Sequence, residues 1–505
     1  MESVLQTLLP SGDPQWWQIA LLIADYLIKF IAVGVVPENR HPSSSTAWLL
    51  IILLVPFLGL PLFLLLGSQT ITGRRHRIQA LANREIVRRT RHLPDIPEDV
   101  AGPEDGGGDV AEEMVYSIKL SRRLTGLPAV KCVCHGVYAD TAESIAAMTA
   151  AVAAAEESVH VQMYIFALDE ATRGFVDALV EAHRRGVSVK VLVDPIGSRK
   201  YAGYARLREL LDDTGIPWHP MLPIDVARLQ WRRPDLRNHR KILTIDGRRA
   251  FMGSQNMIEP EYESRVNHRD GRRWSDVMVE LTGDVVPHLD AVFAVDWTSE
   301  GYERPEPRDI TPIPHRLADG DDVNLVQVLP SGPGFTTEPN LRVFNDLIYG
   351  ARRKIVVVSP YFVPDESLLM GLTSAAYAGL EVVLHVNEKA DQFMVGHAQQ
   401  SYYHALLEAG VRILRFPAPG VLHSKFLVID DEVAAVGSSN LDMRSFGLNY
   451  EVTLLAVRGN LVRELAEIAE GYAAVSTELD MAEWESRPWR QRYLDNVFRL
   501  TSALQ

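Results

Sequence analysis

Apolar positions run almost unbroken twice near the start of the chain, then settle into short alternating stretches. Residues 16–36 (WWQIALLIADYLIKFIAVGVV) and 47–66 (AWLLIILLVPFLGLPLFLLL) are each about 20 residues long, enough for a helix to cross a hydrocarbon core of about 30 Å. Two membrane-spanning helices are therefore predicted. The second run has no charge; the first carries Asp25 and Lys29, four apart on one helical face, where they can pair rather than meet lipid singly. Trp16, Trp17 and Trp48 mark the run ends, as interfacial aromatics do. The first run lacks a basic start and a small-residue cleavage site, and a second run follows at once, so it reads as a span and not as a signal peptide. In the stretch that follows, Arg74, Arg75, Arg77, Arg84, Arg88, Arg89 and Arg91 face only Glu85. Positive residues stay cytoplasmic, which predicts a hairpin with both termini and the rest of the chain inside, its arginines beside anionic headgroups. Residues 93–112 are rich in Pro, Gly and acid with little to bury, and read as a linker.

Past the linker the periodicity changes to strands that follow helices. VHVQMYIF (159–166) follows an Ala-rich helix, and KIVVVSPYF (354–362) follows RVFNDLIYGARR in the same way. GVSVKVLVD (186–194) has its counterpart in GLEVVLHVN (379–387), NHRKILTID (238–246) in LHSKFLVID (422–430), and GSQN (253–256) in GSSN (437–440). His239 and His423 stand as far apart as Gly253 and Gly437, so the chain holds two related α/β lobes and not a short-period solenoid. Strands alternating with helices imply parallel or mixed sheets covered on both faces.

Composition narrows the picture further. With 505 residues, 47% of them hydrophobic and 23% charged, the chain can bury ordinary globular cores. A net charge of −14 excludes a general nucleic-acid coat, which needs a basic surface, but leaves room for an anionic substrate in a locally basic pocket. The only cysteines, Cys132 and Cys134, share one strand face beside His135; they build neither a disulfide scaffold nor a four-ligand zinc site, and fit a reducing compartment.

Each lobe repeats one cluster: His239, Lys241, Asp246, Gly253, Ser254 and Asn256 in the first, His423, Lys425, Asp430, Gly437, Ser438 and Asn440 in the second. Residues i and i+2 of a strand share a face, so each His and Lys enter one cavity while Arg240 and Ser424 turn away. The glycine permits a close backbone approach, and the Ser hydroxyl and Asn amide are expected to bind phosphate. Two facing sets make an anion site flanked by two imidazoles, suited to a phosphodiester: one His attacks phosphorus while the other protonates the leaving alcohol. No metal ligands cluster by spacing.

The doubled H-x-K-x4-D motif resembles the phospholipase D superfamily over about residues 125–505. Within it, the N-terminal spans together with RNHRKILTIDGRRAFMGSQN, SPYFVPDE, DQFMVGHAQQSYYHALLEAGVRI and GSSNLDMRSFGLNYE resemble the bacterial cardiolipin synthases. Two departures stand out: Gly253-Ser254 replaces the two glycines usual in these synthases, and the insert EPEYESRVNHRDGRR after the first motif is long and dense in charge. The resemblance implies an α/β fold, with an N-terminal two-helix transmembrane hairpin (1–68), a basic juxtamembrane segment and linker (69–124), and two homologous lobes (125–310 and 311–505) sharing one active site. It implies metal independence, no cofactor, and an acidic residue that orients each catalytic histidine, for which Glu451 fits the second lobe and Asp276 the first. Asp246 and Asp430, the third members of the motif, end their strands, where they lock local turns. The expected reaction joins two phosphatidylglycerol molecules at the cell membrane, releasing glycerol, with His239 as nucleophile and His423 as acid and then base. Hydrolysis by the same mechanism, phosphatidylserine synthesis, nuclease activity and an idle scaffold are the alternatives, and the acidic charge and the spans count against nucleic acid as a partner.

Overall fold

The computed structural model describes residues 15–38, 42–67, 74–97, 112–223, 235–301, 322–335 and 337–500. The chain divides into two compact units, residues 1–71 and 72–505. In the first, one helix, Trp16–Val35, is long and apolar enough to cross a membrane, and Lys29 Nζ lies 2.8 Å from Asp25 Oδ2 across one of its turns. The second apolar run departs from expectation. It breaks into helix Pro42–Leu54, helix Pro56–Leu62 and a wider π-helical turn, Phe63–Gly67. Pro56 has no N–H to donate and crowds the preceding residue out of the helical region, so Val55 sits at φ −138°, ψ 71°. A single uninterrupted second helix is thus replaced by a kinked one, packed on the first through Ala32, Val36, Trp48, Ile52 and Phe63.

Residues 72–505 are built on one sheet that joins sixteen of the described strands. Its order mirrors the sequence repeat. From the middle outward, Val130–Tyr138 is followed by Met278–Gly283, Arg249–Gly253, Ile242–Ile245, Ser158–Met163, Ser188–Val193 and Trp218–Pro220. On the other side Val323–Ser331 is followed by Asn449–Val457, Val433–Gly437, Phe426–Ile429, Lys354–Val358, Glu381–Asn387, Arg412–Phe416 and Thr477–Leu479. The halves meet where Val130–Tyr138 and Val323–Ser331 pair antiparallel, Val130 opposite Val326.

Helices cover both faces for the reason their patterns give. In Arg173–Arg184 the buried residues Phe175, Val176, Leu179 and Val180 form one stripe, and in Thr141–Ala153 the Asp140 carboxylate caps the start by accepting from the Ala142 and Glu143 N–H groups. On the opposite face, helices Val285–Gly301 and Asn460–Val475 share one continuous core with strands from both halves, so the lobes are fused rather than hinged. The boundary expected at 310/311 lies outside the described residues, as do positions 98–111 of the expected linker. The basic segment before it is no loose tail. Arg74–Thr90 is a helix whose Ala82 and Ile86 are buried in that shared core, and Arg122 ties its end down by donating to Thr90 O and Gly126 O at 2.5 Å. Arg88 and Arg89 are spent on Glu85. Cys132 and Cys134 are both free and buried, and burial pushes both thiols up, Cys134 to about 12.

Candidate active site

The motif histidines lie just beyond two short strands that reach across to the opposite half. Arg237–Asn238 pairs parallel with the start of Asn449–Val457, setting Asn238 opposite Tyr450, and His239 N donates to Tyr450 O at 2.9 Å. Val421–Leu422 pairs parallel with Trp274–Ser275, setting Leu422 opposite Ser275, and His423 N donates to Ser275 O at 2.7 Å. In both pairings the next residue on the partner strand is a buried acid. The consequence is a crossed arrangement: His239 Nδ1 lies 3.1 Å from Glu451 Oε2 and 3.0 Å from Ser438 O, and His423 Nδ1 lies 2.7 Å from Asp276 Oδ1. Both acids foreseen in the sequence are present, but each serves the other lobe's histidine. Backbone register imposes the exchange, because each His-bearing segment is a guest of the other lobe's acid-bearing strand.

With Nδ1 held as donor by a carboxylate or carbonyl, each imidazole keeps Nε2 for chemistry. Lys241 Nζ donates to His239 O at 2.7 Å and Lys425 Nζ to His423 O at 2.5 Å, spending one of three ammonium donors each. All six groups are buried. Arg240 and Ser424 turn away as expected. Arg240 Nη1 meets Asp296 Oδ2 at 2.6 Å, and that carboxylate also accepts from Gln162 and Asn238. Ser424 Oγ lies 2.8 Å from Tyr472 OH.

The electrostatics of the two pairs differ. Burial pushes the Glu451 carboxyl up to about 7, outweighing the opposing pull of the Lys241 ammonium. At Asp276 burial pushes the same way, but His423, Lys425 and the Ser254 hydroxyl win and hold it below the usual carboxylate range. Burial lowers both histidines. His239 falls well below its ordinary value, with both ammonium groups adding to the effect, whereas at His423 the Asp276 charge opposes the fall. Burial also lowers both lysines, Lys425 to about 8. An anion beside them would favour their charged forms and oppose that fall.

Of the remaining motif residues, the serines sit differently from expectation. Ser254 Oγ donates to Asp276 Oδ1 at 2.6 Å and Ser438 Oγ to Glu451 Oε2 at 2.5 Å, and each hydroxyl accepts from a strand N–H, of Val277 and Val452 respectively, at 3.0 Å. Expected as phosphate donors, both have their hydrogens committed to the acids. The glycine before each serine does allow a close approach: a Cβ at Gly253 would sit 2.2 Å from Val277 O, and one at Gly437 2.2 Å from Val452 O. Asn256 Nδ2 donates to Tyr262 OH at 2.9 Å, while Asn440 Oδ1 is buried and unpaired. Asp246 accepts the N–H groups of Glu156, Glu157 and Ser158, and Asp430 those of Arg352, Arg353 and Lys354, at 2.7–3.0 Å. Each therefore fastens the start of a neighbouring strand rather than the reaction centre.

Several residues went unforeseen. Tyr262, from the charged insert, lies edge-on to Tyr201 and tilted against Trp274, and Tyr164 packs edge-on against His239 with Lys241 over its ring. Nothing in their spacing marks them, since they are gathered by tertiary contacts alone. The insert also brings ligand atoms of Glu259, Glu261 and His268 within 4.8 Å of one another, a group the spacing did not reveal. His268 is bound to Glu259 at 2.7 Å and Arg273 to Glu261 at 3.0 Å, so each of the three already has an ion-pair partner. A cleft of about 860 Å³ lined by Asp169, Arg173, Lys200, Arg206 and Glu259 holds none of the paired motif residues.

Comparison with known proteins agrees with this geometry. A family model described as cardiolipin synthase, PLD-like domain, matches residues 148–297 and 344–472, and one described as phospholipase D-nuclease N-terminal matches residues 27–68. Cardiolipin synthase A of Proteus mirabilis is 32% identical over 489 residues, covering 95% of this chain and 96% of that protein. Cardiolipin synthase A of Pectobacterium atrosepticum is 31% identical over 490 residues, covering 96% and 98%. Among solved structures, the phosphatidylserine synthase of Haemophilus influenzae superposes with a TM-score of 0.55 at 16% identity, over 77% of this chain and 98% of that one, a likeness of fold.

Proposed function

The chain belongs to the PLD-like cardiolipin synthases, and from that premise we propose that it condenses two phosphatidylglycerol molecules into cardiolipin and glycerol through a phosphohistidine. It is an enzyme, a phosphatidyltransferase that makes cardiolipin. The observation that carries the mechanism is the pair of crossed His–acid contacts around two buried lysines.

His239, with Nδ1–H held by Ser438 O and Glu451, is the more strongly neutral imidazole and serves as nucleophile. Its Nε2 forms a P–N bond as the P–O bond to the departing glycerol breaks. His423, whose proton affinity the ionised Asp276 raises, gives that oxygen its proton. The neutral His423 then takes a proton from the glycerol hydroxyl of a second phosphatidylglycerol, whose oxygen displaces His239 and re-forms the P–O bond. Lys241 and Lys425 spread charge from the non-bridging oxygens as the transition state develops. Asp276 and Glu451 orient; Ser254 and Ser438 hold those acids; Asn256 and Asn440 border the phosphate; Asp246 and Asp430 keep the lobes' strands in place. Lobes at 125–310 and 311–505 and a two-span membrane hairpin with cytoplasmic termini complete the reading. The apolar helix Trp16–Val35 and the arginine-rich segment after the second run support that orientation.

Protein in mixed micelles with phosphatidylglycerol alone should yield cardiolipin and glycerol in equal amounts, and excess glycerol should reverse the reaction. Phosphatidic acid as the main product would assign hydrolysis instead. His239→Ala and His423→Ala should each lower turnover by about a thousandfold or more.

A further inference from the structure

The helix Trp489–Arg499 is turned inside out for a protein surface in water. Its inward side carries polar groups: Asp495, buried, meets His397 Nδ1 at 2.7 Å and Arg487 Nη1 at 2.5 Å, and Gln491 donates to Gln400 at 3.0 Å. Phe498, stacked on His397, adds an apolar contact from that side. Its outward side carries Trp489 and Tyr493, 66% and 62% exposed, with Leu500 just beyond, and Leu494 and Val497 at the flanks are 37% and 38% exposed. Phe393 and Met394 extend the apolar surface from the adjoining helix Phe393–Gln400, against which this one packs. An amphipathic helix on an aqueous surface buries its aromatic stripe; this one is anchored by ion pairs so that the stripe stays out.

Charge and position say what covers it. Arg490, Arg492 and Arg499 flank the stripe, and its one acid, Asp495, is buried and neutralised, although the whole chain carries −14. Helix Phe393–Gln400 begins two residues after Asp391, whose carboxylate accepts from Tyr361 OH at 2.7 Å and lies within electrostatic reach of Lys425. Tryptophan, tyrosine and aliphatic side chains edged by arginine are what a helix lying in an anionic lipid interface presents.

We propose that the face formed by Trp489, Tyr493, Leu494, Val497, Phe393 and Met394 is a membrane-docking surface of the catalytic unit, seated at headgroup level on anionic phospholipid, in addition to the N-terminal anchor. The proposal rests on the reading of the substrate as a phospholipid drawn from the bilayer.

Full-length protein carrying Tyr493→Cys, labelled with an environment-sensitive dye, tests it in vesicles of phosphatidylcholine and phosphatidylglycerol containing a spin-labelled lipid quencher. Buried Cys132 and Cys134 stay unlabelled, and Glu181→Cys, on an exposed turn of helix Arg173–Arg184, is the reference site. Quenching at position 493 should exceed that at 181 about threefold and weaken without phosphatidylglycerol; equal quenching at both sites overturns the proposal. Trp489→Glu combined with Leu494→Glu should lower transfer on vesicles about tenfold and leave transfer in detergent micelles unchanged, whereas an equal fall in both overturns it. A dye shift already present in detergent that grows with protein concentration would give the face to a second copy of the chain and likewise overturn it. Quenching needs no turnover: if it holds while no cardiolipin forms in any assay, the functional reading fails and the docking surface stands.

Discussion

A carboxylate contributed by the opposite lobe meets each motif histidine at Nδ1. Because burial is overcome at Asp276 but pushes Glu451 up to about 7, the Asp276 pair is the better able to steady a protonated imidazole. The raised Glu451 has a measurable consequence for stability. A buried acid whose folded value, about 7, lies above its ordinary 4.5 favours the fold fully below pH 4.5 and loses that contribution as pH rises through 7. Thermal denaturation of wild type against Glu451→Gln should therefore show wild type losing ground between those limits, and a constant difference would contradict the raised carboxyl. The serines offer a second check. If Ser438 holds Glu451 and not phosphate, Ser438→Ala should lower kcat about tenfold with KM unchanged. A rise in KM alone would return the hydroxyl to the phosphate.

At the scale of the element, the motif aspartates separate structure from chemistry. Asp430 holds φ +54° and Asp246 φ +52°, a left-handed conformation that Asp and Asn tolerate, and each caps three N–H groups at the start of a neighbouring strand. Asp430→Ala should destabilise the protein by about 2 kcal/mol in denaturant titration while the folded fraction keeps most of its kcat, and Asp430→Asn should be milder. The same scale shows what the sequence could carry. The repeat and the His-x-Lys spacing were legible because a strand's period of two fixes a shared face without knowledge of partners. The pairing of His239 with Glu451 was not, because it depends on which strands meet, and Arg237–Asn238 is too short to announce its neighbour. Tyr262 was hidden for the same reason, and the kink at Val55 because a run read by its length and mean hydropathy gives no weight to the backbone of one proline within it. That the basic juxtamembrane segment forms the helix Arg74–Thr90 was not legible, because its arginines outnumber the few positions, Ala82 and Ile86 among them, that bury it.

Across the whole molecule, one sheet and one shared core make the two lobes a single catalytic body. Each lobe alone has a histidine without its acid and an acid without its histidine, so neither is a working half. In one chain the crossed pairs are satisfied internally: Arg237–Asn238 lies on Asn449–Tyr450, and Val421–Leu422 on Trp274–Ser275. A complete site therefore needs both motifs in the same chain. Full-length His239→Ala and full-length His423→Ala, co-expressed and assayed together for cardiolipin from phosphatidylglycerol, should give no more than the sum of their residual rates. Each variant chain keeps one intact motif, but reconstituting a site would require two chains to exchange these short strands and open the core beneath the antiparallel seam of Val130 and Val326. Recovery of a quarter or more of the wild-type rate, roughly what random pairing of exchanged lobes would yield, would show that the site is shared between chains and that the seam opens in solution.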